Sequence, residues 1–253
     1  MQKETLCAFN GARGPEMSSA SKKLKEFDLD APTLGKDVRQ AFRLQTRFLT
    51  SSVERKFEPF LNDVGAWKVL VEVVPTLNKS RSRNLLGVLT TQVVGDAATY
   101  VTMKRGERER LALDWLLAGV KSVFSEYGWR TGEIEAAVQS VVDEDFRSAL
   151  VWKKGVLNAS KSVSADVVVV SDDEHAKIVA VFRTPGGEEM QASTLCVRPP
   201  SEFAFVPCLG KLKWLNDDTV ELTSRSGSES WTATRQERNK ERNTGQPTNT
   251  QNK

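Results

Sequence analysis

Between Lys36 and Asn62 the apolar residues Val38, Phe42, Leu49, Val53, Phe57 and Phe60 recur at steps of three, four and seven, the spacing that lines one face of a helix. Pro59 should end that helix, because proline lacks the backbone N–H and its ring clashes with the preceding turn. Period-two alternation follows: Trp67, Val69, Val71 and Val73 predict a strand that stops at Pro75. A second strand is expected from Leu85 to Val94, with the segment Leu77 to Asn84 as a hairpin loop that makes the two strands antiparallel neighbours. From Glu107 to Tyr127 the helical period returns, with Leu113, Leu116, Leu117, Val120, Val123, Phe124 and Tyr127 on one side and Gly128 as the stop. Thr131 is placed to cap a further helix whose buried stripe would be Ile134, Val138, Val141 or Val142, and Phe146.

After Leu150-Val151-Trp152 the pattern changes to short runs rich in β-branched and aromatic residues. These are Asp166–Val170, Ile178–Phe182, Phe203–Val206, Lys211–Leu215 and Thr219–Thr223, with Pro185-Gly186-Gly187 and Asn216-Asp217-Asp218 as the clearest turns. The expectation is an α+β chain: a long N-terminal helix, a two-stranded hairpin, a helical pair, then an antiparallel β-meander. Helices segregated from strands argue against a parallel βαβ arrangement. The expected divisions are a leader at 1–35 without regular structure, an α+β part at 36–152, a β-rich part at 153–234 that either stands alone or forms one domain with the preceding part, and a polar, disordered basic tail at 235–253. Met17, followed by Ser18-Ser19-Ala20-Ser21, has the look of an alternative start.

With 253 residues, 39% of them hydrophobic, the chain can build a substantial core, and its longest apolar stretch is shorter than the roughly 18 residues that cross a bilayer. A cytoplasmic location is expected from the absence of a secretory pattern near Met1. The net charge of +3 sits entirely in the tail, where Arg235, Arg238, Lys240, Arg242 and Lys253 oppose only Glu237 and Glu241. A body of balanced charge lacks the electrostatic footprint of a dedicated nucleic-acid-binding domain.

Candidate chemistry is sparse. There is no phosphate-cradling Gly-rich loop, nucleophile elbow, Cys-x-x-Cys or His-Glu-x-x-His, and the chain has a single histidine. No catalytic residue, metal ligand set or cofactor is nominated. The run Asp172-Asp173-Glu174-His175 could in principle offer oxygen and imidazole ligands, but consecutive residues seldom converge on one ion, and a solvated turn is the plainer reading. Cys196 and Cys208 flank a Pro-Pro turn and could meet across strands, although buried free thiols are expected; Cys7 lies in the leader. Lys36, Arg39, Arg43 and Arg47 form a basic stripe at helical spacing, which with Lys79, Arg81 and Arg83 is the best candidate contact for nucleic acid.

The expected function is that of a non-enzymatic protein that binds a protein partner. The helical pair before a compact β-rich half, without a catalytic constellation, resembles in kind the small cytoplasmic proteins that neutralise bacterial toxins, an immunity-type likeness of architecture rather than of motif. The expected partner-binding face is Trp129 and Arg130 at the turn between the two helices, with the acidic run Asp143, Glu144 and Asp145 steering a basic partner. The alternative is a nucleic-acid-binding accessory protein using the stripe, and a metal-dependent enzyme stands third.

Overall fold

A computed structural model of the protein describes residues 22–78, 82–100 and 102–236. They fall into two compact units that divide between Phe146 and Arg147. The chain is α+β, with an N-terminal helix, a helical pair and a C-terminal antiparallel meander, as the periodicities predict. Among the described residues no helix is long and apolar enough to cross a membrane.

The first unit runs β1 (Lys22–Leu24), β2 (Glu26–Asp30), α1 (Lys36–Lys56), β3 (Phe60–Asn62), β4 (Lys68–Val74), β5 (Arg83–Leu85), β6 (Val88–Val94), α2 (Ala97–Tyr100), α3 (Glu107–Tyr127) and α4 (Gly132–Asp143). Helix α1 stops before Pro59, and α3 ends on Gly128, whose positive φ of 71° is the left-handed stop that glycine supplies. Thr131 precedes α4 but makes no side-chain capping hydrogen bond.

Two expectations are corrected in this unit. Within the expected leader, residues 22–30 form β1 and β2, with Phe27 and Leu29 fully buried; residues 1–21 lie outside the described residues. The run Glu26-Phe27-Asp28-Leu29-Asp30 is too short and too acidic to announce a strand, and the cations that pair with its buried carboxylates, Arg39, Arg43 and Lys68, come from other elements. The second correction concerns strand direction: β4 and β6 are neighbours but parallel, in a sheet ordered β2-β4-β6-β5. The expected strand at Leu85–Val94 contains a tight turn at Leu86-Gly87, so that β5 pairs antiparallel with β6 and returns the chain in the direction of β4. The hairpin is therefore β5–β6. Strands β2 and β4 are also parallel and joined across α1, the parallel βαβ connection that the segregation of helices from strands argued against.

Odd-numbered positions of this sheet, Phe27, Leu29, Val69, Val71, Val73 and Leu89, are fully buried in a core shared with Phe42, Leu49, Leu116, Val120 and Val123 of the helices. Even-numbered positions on the opposite face are largely polar and half-exposed, including Lys68, Glu72, Thr90 and Gln92. Among the described residues helices cover one face of this sheet, which is uncommon for parallel strands, since these usually lie between two helical layers.

The second unit contains β7 (Ser148–Leu157), β8 (Ser164–Ser171), β9 (Ala176–Arg183), β10 (Glu189–Arg198), α5 (Glu202–Phe205), β11 (Lys211–Trp214), β12 (Thr219–Thr223) and β13 (Ser230–Thr234). Strands β7 to β10 form an antiparallel meander and β11 to β13 a second one. Side chains link them: Trp214 Nε1 donates to Val156 O at 2.9 Å, and Gln191 Oε1 accepts from Gln236 N at 2.7 Å. The expected strand Phe203–Val206 is instead a helical turn followed by a 3-10 turn at Val206–Cys208. Pro199-Pro200, Ser201 and Glu202 make a helix start that outweighs the β-propensity of two phenylalanines.

Candidate protein-binding surfaces

The basic stripe of α1 faces carboxylates of its own chain. Arg39 grips buried Asp30 through two hydrogen bonds of 2.8 and 2.5 Å, and Arg43 lies 3.9 Å from buried Asp28, which also accepts from Lys68 at 3.0 Å. Arg47 pairs with Glu54 through two 2.9 Å contacts and donates to Phe27 O at 3.2 Å, while Glu54 Oε1 accepts from Phe27 N at 2.9 Å. Because β2 is an edge strand, these side chains occupy the backbone groups that would otherwise offer an edge for pairing. Burial acts to raise the Asp30 pKa, but the hydrogen bonds and charge of Arg39, with the Ala31 N–H and the charge of Arg43, hold it below the usual carboxylate range. Lys36 stands exposed at the start of α1 and Arg83 is exposed in β5, while Lys79 and Arg81 lie outside the described residues.

Trp129 is half-buried in an aromatic cluster, stacked on Tyr127 at 5.1 Å and edge-on to Phe60 and Phe124 at 5.2 and 5.5 Å. Arg130 beside it is exposed. At the other end of α4, about 18 Å away by helix rise, the acidic run is also engaged internally. Asp143 accepts from Gln139, Glu144 pairs with Lys56, and Asp145 leaves the helix at a φ of 54°. Trp129 and the acidic run therefore lie at opposite ends of α4.

Asp172 Oδ1 accepts from the backbone N–H groups of Glu174 and His175, at 3.0 and 2.7 Å, closing the turn between β8 and β9. Among the described residues no three His, Cys, Asp or Glu side chains are grouped as metal ligands would be. Cys196 and Cys208 are free, buried thiols; burial pushes Cys196 up to about 11, with its neighbour Cys208 adding to the effect, so Cys196 is held as the thiol. Cys7 lies outside the described residues.

Two surfaces escaped the sequence reading. The first is the outward face of the β7–β10 meander. The register aligns Val151, Val168, Val179 and Thr194 in one row and Ala149, Val170, Lys177 and Val197 in the next. Val151, Val170 and Val197 are 54%, 42% and 42% exposed, and Val168 and Val179 are half-buried between them. Of the run Val167-Val168-Val169-Val170, only Val167 and Val169 reach the core.

The second is the tip of the β5–β6 hairpin. Leu86 and Gly87 connect Leu85 to Val88, and both have positive φ, 54° and 88°, as a type I′ turn requires. Gly87 is obligatory, since a Cβ there would lie 2.6 Å from Trp67 Cδ1 and 2.7 Å from Gly65 O. Leu86 is the anomaly: leucine in the left-handed region costs about 1–2 kcal/mol, and turns of this type favour asparagine or aspartate at that position. The glycine inside an apolar run was the signal that could have revealed the turn.

Comparison with protein families, with curated proteins and with solved structures finds no match to this chain.

Proposed function

We propose that this protein acts as a non-enzymatic binding module for another protein. The observation that carries the reading is the contiguous valine face of the meander. A solvated sheet face ordinarily alternates to polar residues, and contiguous exposed apolar surface marks contact sites. From strand and residue spacings the patch is roughly 15 by 14 Å, about 200 Å². That suits the apolar centre of an interface with a wider polar rim, since a stable interface needs about 800 Å² per partner.

The charges around the patch favour an acidic partner. Lys177 is exposed on this face, whereas Asp166 on the same face is buried, bonded to Arg183 Nε and to Gly155 N at 2.7 Å each. A basic partner steered by Asp143, Glu144 and Asp145, as in the immunity-type reading, draws less support because Asp143 and Glu144 are engaged within the chain. Nucleic-acid binding through the α1 stripe draws less support for the same reason.

The test is a triple change, Val151→Thr, Val168→Thr and Val170→Thr, which keeps β-branching while making the face polar. The expected outcome is loss of a specific co-purifying protein with the melting temperature nearly unchanged. Undiminished capture of that protein by the folded variant would remove the reading.

A further inference from the structure

We infer that the Leu85–Leu86 hairpin tip is a second, separate contact, built to enter an apolar pocket on a protein partner whose rim carries carboxylates. Two facts about the same tip point outward. Leu85 and Leu86 are 68% and 86% exposed, and Leu86 holds a backbone conformation unfavourable for leucine. Neither its own packing nor its turn geometry accounts for a leucine here, and a local rule broken without internal compensation points to use outside the fold.

The tip is also held rigidly. Trp67 Nε1 donates to Leu86 O at 3.2 Å, Asn84 Oδ1 accepts from Gly87 N at 3.0 Å, and Asn84 Nδ2 donates to Val64 O at 2.8 Å. A preorganised apolar anchor loses little freedom on binding, which is how compact hot spots gain affinity.

Charge selects the partner's chemistry. Trp67 bonds through its backbone to Gly87 on one side and to Lys25 on the other, so Lys25 stands about two strand spacings, roughly 10 Å, from the tip. Lys22, Lys23, Lys25 and Arg83 are exposed around this end of the sheet, against Glu26 and Asp63; Lys68 is taken up by Asp28. The surplus is positive. A second copy would set like charges against one another at this site, so a partner pocket edged by Asp or Glu is the complementary occupant.

The experiment places a diazirine-bearing aliphatic amino acid at position 85 of the full chain, irradiates cells expressing it, and sequences the adducts by mass spectrometry. Expected is a protein adduct mapped to a peptide with apolar residues flanked by carboxylates. Its yield should fall about tenfold or more with Leu86→Asn, the size of a hot-spot loss, and fall again with Arg83→Glu. Leu86→Asn should at the same time raise the melting temperature by about 2–4 °C, so that lost adduct cannot come from unfolding. Adducts only to lipid, only to a second copy, or to no molecule would overturn the inference, as would a yield indifferent to Leu86→Asn. The readout at position 85 is independent of the valine face, so either idea can fail alone.

Discussion

The Cα of Gly119 in α3 lies against Val71 in β4 so closely that a Cβ would stand 2.5 Å from Val71 Cγ1 and 2.6 Å from Cγ2. This approach seats α3 on the centre of the parallel strands, where Val71 is fully buried and cannot turn away. Gly119→Ala should therefore destabilise the protein by about 1–3 kcal/mol, with overpacking outweighing the roughly 1 kcal/mol that alanine gains in a helix. Urea unfolding measures it, and combining Gly119→Ala with Val71→Ala should cost less than the sum of the two single changes.

Asp30 predicts an acid-sensitive fold. Its folded pKa lies below the unfolded value, so the stability it contributes is present above about pH 4 and is lost as pH falls through the folded value. Arg39→Gln removes the main source of the depression and should flatten the fall of the urea midpoint between neutral and acidic pH. An unchanged slope would mean that the pair is idle in the folded protein.

Tyr100 is fully buried, edge-on to Phe42 at 5.0 Å, and among the described residues its hydroxyl meets no hydrogen-bond acceptor. Burial raises its pKa and keeps it protonated. Tyr100→Phe should be neutral or stabilising by up to about 2 kcal/mol, because an unsatisfied hydroxyl is removed and the ring retained. A large loss in thermal unfolding would reveal a polar role for the hydroxyl.

Trp129 should act through packing. Trp129→Ala removes the ring that contacts Phe60, Phe124 and Tyr127 and should cost about 2–4 kcal/mol, whereas Trp129→Phe should recover most of it. A Trp129→Ala protein that melts like the wild type but loses a partner would favour a binding role instead.

Much of the fold was legible because its signals are local. Helix α3 was marked at both ends by the Leu113-to-Phe124 periodicity and by Gly128, and β4 by the alternation Val69-Val71-Val73, since side-chain spacing reports which face is buried. Strand β2 was not legible, because Asp28 and Asp30 tolerate burial only through Arg39, Arg43 and Lys68, contacts that exist after the chain has folded. Strand direction was hidden for a related reason: a two-residue turn inside an apolar run reversed β5 and made β6 parallel to β4.

Sequence by itself determined the α+β class, the helix limits near Pro59 and Gly128, and the meander of the second half, because these rest on periodicity and on residues with special backbone demands. Tertiary structure decided what the charges and valines are for. It set Arg39 and Arg43 of α1 against the acids of β2 and Arg47 against Glu54, turned Val151, Val168 and Val170 outward, and held Leu86 at a positive φ on an exposed tip. Spacing along a chain specifies which residues share a face, but which face meets solvent depends on what packs against it, and that is a property of the assembled layers.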